Sequence, residues 1–467
     1  MTEKLYKNKP SPLYIQLKEI LKSKIENNEF KIGSLMPTQQ ELSKKLNVSM
    51  ITVKQAFKEL TNEGLIHYVQ GKGTFVQEKK NDVSELRIAD LYHTESKLKE
   101  ILFERFQDKF NVKIVVIKTE DSVIKRMEEL EQAQQSDKPF DLIFTDEWFT
   151  PDLIRKGIAA PIKYSNDFNS IYKSLLDIPS SNNVVFSIPF AFSPVLLFYN
   201  KDIFNKDRIN YPDEKWNWEM LLNTAKHFTK GNLMGLGIRI NLFNRWPVFA
   251  VQNNGGIVSE DGTRCLMNSA ETVEAIKFLK SLVHEHKVTP FLFDAGVLGS
   301  IEDIFAGKNL AMAINTVFTI SKYLKGKNRE FSFTHLPYSK KRFNHIVKNE
   351  VAVSSKSKNP SLAFEFINYL LESETQNIIA NEGYLPVRKD ILNKHPFLDK
   401  KEIKVIEDTL VYAGTSCKEP YSEFLDIFSK CLYGVWQNLE TVESGCEKCA
   451  EQICRLCGIK NVSLSRR

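Results

Sequence analysis

The pattern of apolar and polar positions is sharpest between Pro37 and Val76, where its period changes. Thr38 stands three residues ahead of Glu41, the spacing of a reciprocal helix cap, and Leu42 and Leu46 follow on one face. Asn47, Val48 and Ser49 make a tight turn. A second helix, about 51–63, repeats Val53, Phe57 and Leu60 at helical spacing, and Gly64 offers a left-handed stop. The period then falls to that of strands. Residues 65–69 and 74–76 are β-prone around Gln70, Gly71, Lys72 and Gly73, which predicts a hairpin with a basic tip. Upstream, Ser11-Pro12 opens a helix running to about Asn28, with Leu17, Ile20, Leu21 and Ile25 inward. A short turn between two helices, followed by a hairpin, suggests a helix-turn-helix with a wing.

Residues 77–87 are polar and aperiodic and read as a linker. Beyond them, 96–110 is an amphipathic helix. Residues 112–117 form a β-branched run of the kind expected for a strand covered on both faces. A helix over 123–134 and a strand over 140–144 follow, the strand ending at Thr145, Asp146, Glu147 and Trp148. This alternation predicts a largely parallel sheet whose ligand site lies at the carboxyl ends of its strands. The division expected is a head over 1–80, a linker over 81–87 and a body over 88–460.

Composition changes the picture chiefly through charge. The 467 residues are 42% hydrophobic and 26% charged, enough for two or three domains with real cores. No apolar run reaches membrane-spanning length, and the first residues lack the basic start and apolar stretch of a secretion signal, so a cytoplasmic location is expected. The formal net charge is +6, and residues 1–80, with 14 Lys, no Arg and 8 Glu, carry all of it. Phosphate neutralisation drives non-specific affinity for nucleic acid, so double-stranded DNA is the partner this asymmetry implies. Lysine-rich helices can also be simple solvated surface; it is the motif that favours DNA.

The ordered segments Pro12-Leu-Tyr14, Pro37-Thr38, Val48-Ser-Met-Ile-Thr-Val-Lys-Gln-Ala56, Glu63-Gly-Leu-Ile66 and Gly71-Lys-Gly-Thr-Phe-Val76 resemble the winged helix-turn-helix of the GntR (gluconate repressor) family. The resemblance implies DNA contacts from Thr38, Gln39 and Gln40, from Ser49, Met50, Thr52, Lys54 and Gln55, and from Gly71, Lys72, Gly73 and Thr74. Relatives carry arginine where this chain has Gln40, Met50 and Lys54. Arginine is the commonest bidentate reader of guanine, whereas Gln suits adenine and Met suits a thymine methyl. An A/T-rich inverted repeat, bound by a homodimer, is therefore expected.

In the body, Asp141 to Trp148, Ile188-Pro-Phe190, Leu197-Phe-Tyr-Asn-Lys-Asp-Ile-Phe204, Trp216-Asn-Trp218, Asn253-Asn-Gly-Gly256, Phe305-Ala-Gly-Lys308 with Ala311-Met312, and Gly383-Tyr-Leu-Pro-Val-Arg388 together resemble the two-lobed solute-binding proteins of ABC transporters. The resemblance implies two α/β lobes closing on a small solute, with a carbohydrate favoured. Recognition of a polyol calls for flat apolar faces and fixed polar groups. The residues implied are Glu147 and Trp148 in the first lobe, Phe190 and Phe192 near the crossover, Arg239 and Trp246 in the second, and Asn315 with Phe318. Among 31 phenylalanines, an ordinary core role competes for the three Phe. The expected fold class is thus multi-domain: an α+β winged helix-turn-helix followed by a two-lobed α/β body.

Cys446, Cys449, Cys454 and Cys457 form two Cys-x-x-Cys pairs, but their four-residue spacer is shorter than zinc sites use. On a helix over 443–456 they share a roughly 140° arc with Ala450, Ile453 and Leu456, so packing as small hydrophobes is expected and no metal. Ser321-Lys322 superficially resembles the Schiff-base lysine region of pyridoxal-phosphate aminotransferases, but the Pro-Gly that follows it there is absent, and Lys322 reads as helix surface. No cofactor and no enzymatic activity are expected. A ligand-controlled transcription regulator is the expected function, with a transporter's capture protein and an aminotransferase-like regulator as alternatives.

Overall fold

The computed structural model describes residues 13–27, 29–77, 84–91, 96–118, 123–163, 169–176, 184–290, 301–325, 329–414 and 421–459. The chain divides into two compact units, Met1–Ser84 and Glu85–Arg467. Among the described residues no helix is long and apolar enough to cross a membrane.

In the first unit, α1 (Leu13–Glu26), α2 (Gln39–Leu46) and α3 (Met50–Asn62) precede an antiparallel hairpin of β1 (Ile66–Val69) and β2 (Gly73–Val76). The expected Ser11-Pro12 cap lies outside the described residues. Leu17, Leu21 and Ile25 of α1 pack with Leu42, Val53, Phe57, Leu60 and Ile66 in one core, while Ile20 is only half-buried. Residues 33–36 run beside β2: Val76 N–H donates to Ser34 O at 2.9 Å and Met36 N–H to Thr74 O at 2.7 Å. Lys18 and Lys22 of α1 both reach Glu63, at 2.7 and 2.9 Å, and tie the end of α3 to α1.

The second unit begins with β3 (Ser84–Asp90), so the last residues expected as linker already belong to a strand; 78–83 lie outside the described residues. There follow α4 (Ser96–Phe110), β4 (Val112–Lys118), α5 (Val123–Gln134), β5 (Leu142–Asp146) and α6 (Thr150–Arg155). A separate two-stranded pair, β6 (Ile162–Lys163) and β7 (Val184–Val185), leads to the long β8 (Ile188–Asn200). The remaining strands are β9 (Met234–Gly237), β10 (Leu310–Thr316), β11 (Phe331–Thr334), β12 (Asn344–Val353), β13 (Leu385–Pro386) and β14 (Ala413–Gly414).

The main sheet runs β4-β3-β5-β12-β8-β10-β9. It is mixed, which corrects the expectation of a largely parallel sheet. The β3–β5 and β10–β9 pairs are parallel, but β12 and β8 enter antiparallel to their neighbours on both sides. Helical crossovers impose parallel pairing only where one strand follows the next by such a crossover, and β8 and β12 arrive by other routes. A second correction concerns β4. It is the sheet's edge, so 114–117 are half-exposed rather than covered on both faces.

Every residue of β8 is buried. Its side chains alternate: Phe192, Leu196 and Phe198 enter one core, with β3, β5, α4 and helix Pro360–Leu371, whereas Val195, Leu197 and Tyr199 enter another, with helices Trp218–Phe228 and Ala270–His284. The chain returns to the first half through Pro360–Leu371 and Lys400–Tyr412, then packs Tyr421–Cys431 and Val442–Cys457 on the second.

Candidate DNA-reading face and solute cleft

The start of α2 is fixed by reciprocal bonds: Glu41 N–H donates to Thr38 Oγ1 at 3.2 Å, and Thr38 N–H to Glu41 Oε2 at 2.8 Å. Asn47 takes φ 51°, a conformation Asn tolerates, and turns the chain into α3. Ser49 caps that helix, accepting from Thr52 N–H at 3.1 Å, and the two hydroxyls lie 2.8 Å apart. Ser49 and Thr52 therefore set the helix entry. At the wing, Gly71 and Gly73 hold φ of 75° and 108°, which a side chain would strain.

These elements enclose a groove of about 360 Å³. It brings together Thr38, Gln39, Gln40, Met50, Lys72, Gly73 and Thr74. Ser49, Thr52, Lys54, Gln55 and Gly71 lie outside its lining; Lys54 is exposed, and Gln55 donates to Glu59 at 2.8 Å. Sequence reasoning missed Leu35 and Tyr68, which line the same groove while 55% and 70% exposed, and Ile51, which projects outward beside Met50 at 79% exposure. The available signal was their apolar character off the core-facing period of their elements.

In the second unit, Asp146 ends β5 and its Oδ1 accepts from Trp148 and Phe149 N–H at 2.9 and 2.8 Å. That turn points Glu147 at β12, where it meets His345 Nε2 at 2.8 Å and accepts from Lys348 N–H at 2.7 Å. Lys348 Nζ in turn reaches Glu350 at 2.9 Å. Burial raises the Glu147 carboxyl from its ordinary 4.5 to about 8, against the pull of Lys348, and raises Asp146 as well. Trp148 stacks on His345 at 4.3 Å and leans on Phe243 at 4.5 Å. An indole from the first half thus lies in the aromatic cluster of the second, where Phe243, Trp246 and Phe428 contact one another.

Trp246 is only 1% exposed, yet with Phe243, Phe428, Tyr433 and Trp436 it lines a cavity of about 260 Å³. At the carboxyl ends of β9 and β10, Asn315 donates to Glu302 Oε1 at 2.5 Å and accepts from Arg245 at 2.9 Å. Arg239 approaches Glu302 at 3.7 Å. Burial pulls Arg245 down to about 9, with Glu302 opposing and Arg239 adding to the shift.

The structure therefore gathers Trp148 with Trp246, and Arg239 with Asn315. Glu147 is engaged by the protein's own His345 and Lys348. Phe190 and Phe192 are fully buried in the first core, against Phe144 and Tyr172, and are not gathered with Trp148 and Trp246. The cause is the double burial of β8, where a side chain on either face meets a core. Phe318 is half-buried beside Tyr384 at 6.0 Å. Phe243, Arg245, Glu302 and His345 went unnoticed in the sequence; Arg245, flanked by Trp246-Pro247 and an apolar run, was the visible one.

The cysteine segment is helical as expected. Cys446, Cys449 and Cys454 are buried with Ala450 and Ile453, but Leu456 remains 42% exposed. A hydrogen bond from Cys449 brings the Cys431 thiol to about 7, while burial lifts Cys265 and Cys446 to about 12. Cys417 lies outside the described residues. Lys322 is surface, bonded to Asp303 at 3.1 Å.

A capped helix pair backed by a wing, joined to a body of two halves that share one long strand, defines a class: a DNA-binding head on a two-lobed solute-binding fold. Residues 102–405 match the bacterial extracellular solute-binding protein family, and 13–76 the bacterial regulatory proteins of the gntR family. The chain belongs to the solute-binding family and carries a GntR-type head; both are families of binders and regulators, not enzymes. A binding protein of Brucella abortus (strain 2308) is 24% identical over 300 residues, covering 61% of this chain and 72% of the relative. The transcriptional repressor NagR of Bacillus subtilis (strain 168) is 39% identical over 74 residues, 16% of this chain and 30% of the relative. Among solved structures, an ABC substrate-binding protein from Listeria monocytogenes in complex with cycloalternan aligns with TM-score 0.71 at 20% identity, covering 81% of this chain and 100% of that one. A solute-binding protein from Thermotoga lettingae bound with α-D-tagatose gives 0.69 at 20%, covering 80% and 99%. At this identity the likeness is one of fold.

Proposed function

We propose that this protein is a transcription regulator whose operator affinity is set by a small solute, a carbohydrate, held between the lobes of its body. The observation that carries the reading is the joining, in one chain, of a head bearing the whole positive excess and a two-lobed body with aromatic faces and fixed polar groups at its strand ends. The solved relatives bind cycloalternan and tagatose, which supports a carbohydrate.

The head, acting as a homodimer, presents the N-terminal end of α3 to the major groove of an A/T-rich inverted repeat. Met50 meets thymine methyls, Gln40 meets adenine, and Lys72 at the glycine-flanked wing tip approaches the minor groove. In the body, the cavity walled by Phe243, Trp246, Tyr433 and Trp436 supplies the faces for sugar rings, with Trp148 packed behind it on Phe243. Two lobes are a bistable element, and a solute favouring one arrangement shifts the population by its differential affinity. Coupling of ~1–3 kcal/mol corresponds to roughly 5- to 150-fold in DNA affinity. Work inside the cytoplasm follows from this role.

Mobility-shift assays on DNA from upstream of the protein's own gene, with and without a sugar panel, test the reading. Specific retention, changed at least fivefold by one panel member, is expected. No retention at low salt, or no panel member altering either retention or thermal stability, refutes it.

A further inference from the structure

The polar cluster at the ends of β9 and β10 is out of balance. Among the described residues, two guanidinium groups, Arg239 and Arg245, face one carboxylate, Glu302, with Asn315 between them. Arg245 is 3% exposed. Its two terminal nitrogens are used, one by Asn315 and the other by the carbonyl and side chain of Asn244, while its buried Nε has no hydrogen-bond partner among the described residues. A buried cation without full compensation is costly, and an orphaned buried donor adds to that cost. Arg239 remains a third exposed, at 32%, and so stays reachable. The same segment continues through Asn241, Leu242, Phe243 and Trp246, which form one wall of the 260 Å³ aromatic cavity.

A neutral sugar would leave the excess charge standing. A planar carboxylate or a phosphate would remove it, since guanidinium forks match both. We infer that the effector is an acidic sugar, a uronate or a sugar phosphate, whose anionic group is held by Arg239 and Arg245 beside Asn315. The inference rests on the solute-controlled reading above and names the class of solute.

The test uses the full chain. Glucose, galactose and mannose, their uronic acids and their 6-phosphates, with inorganic phosphate as the ion alone, are compared by thermal shift and titration calorimetry. At least one acid should raise the melting temperature saturably while its neutral parent, at equal concentration, does not; whether the uronate or the phosphate responds identifies the group. Arg239→Gln should weaken that acid 10-fold or more without lowering the melting temperature of the free protein. Arg239→Lys should recover part of the affinity. Neutral parents binding as tightly as the acids, or unchanged acid affinity in Arg239→Gln, overturns the proposal and leaves a regulator of neutral sugars. An equal shift from inorganic phosphate marks an adventitious ion only and also overturns it. Silence from every compound refutes both this inference and the sugar reading.

Discussion

Trp148→Ala separates the roles of the halves. The indole is 7% exposed and makes close ring contacts on both sides, with His345 at 4.3 Å and Phe243 at 4.5 Å. Truncating a buried Trp costs about 3–5 kcal/mol where the surroundings do not collapse. The body has about 380 residues, so its unfolding entropy is roughly 0.8 kcal/mol per kelvin, and the loss corresponds to a fall in melting temperature of about 4–6 °C. Two outcomes are distinguishable. If the halves stay together, the whole fall appears in calorimetry of the full chain. If they part instead, part of the cost is relieved: each 1.4 kcal/mol shifts the open-to-closed ratio tenfold, and small-angle scattering registers a larger radius of gyration with a smaller fall in melting temperature. Trp148→Phe should keep most of the stability. A change of less than 1 °C in Trp148→Ala, with an unchanged radius, refutes the claim that this indole binds the halves together.

Burial raises the Glu147 carboxyl to about 8, so the folded state holds a proton that the unfolded chain releases near 4.5. This stabilisation is complete at low pH and is lost as pH rises between those values, at ~1.4 kcal/mol per pH unit; melting curves of Glu147→Gln should show a flatter decline from pH 5 to 8. Gly73→Ala forces a side chain to φ 108° and sets its Cβ 2.9 Å from Leu35 Cδ1. A cost of about 1–2 kcal/mol in the head is expected, read as roughly tenfold faster amide exchange at Met36 and Val76. Lys72→Ala should weaken DNA binding evenly across sequences and reduce the salt slope by about 1, whereas Met50→Ala should relax discrimination at one base pair.

The head was legible almost to the residue because its signals are local. A capping box, a left-handed turn and a glycine-flanked hairpin each depend on neighbours a few positions away, and α2, α3, β1 and β2 begin and end within about two residues of expectation. The body was legible as helices and strands but not as a sheet. Nothing near β8 or β12 records that their partners in the main sheet, up to 211 residues distant, run antiparallel. The aromatic site was half legible for the same reason. Trp148 and Trp246 carry recognisable surroundings, but Phe192 and Phe243 look alike in sequence, and only the fold sends one into the core and the other to the cavity wall. The excess of positive charge around Arg245 became visible only where β9, β10 and helix Ile301–Ala306 converge.

The alternation along β8 has a mechanical consequence. Phe192, Leu196 and Phe198 are anchored on one side of the strand while Val195, Leu197 and Tyr199 are anchored on the other. A slip of one position would pull both sets from their seats together, so the strand acts as a common keel that ties the register of one interior to that of the other.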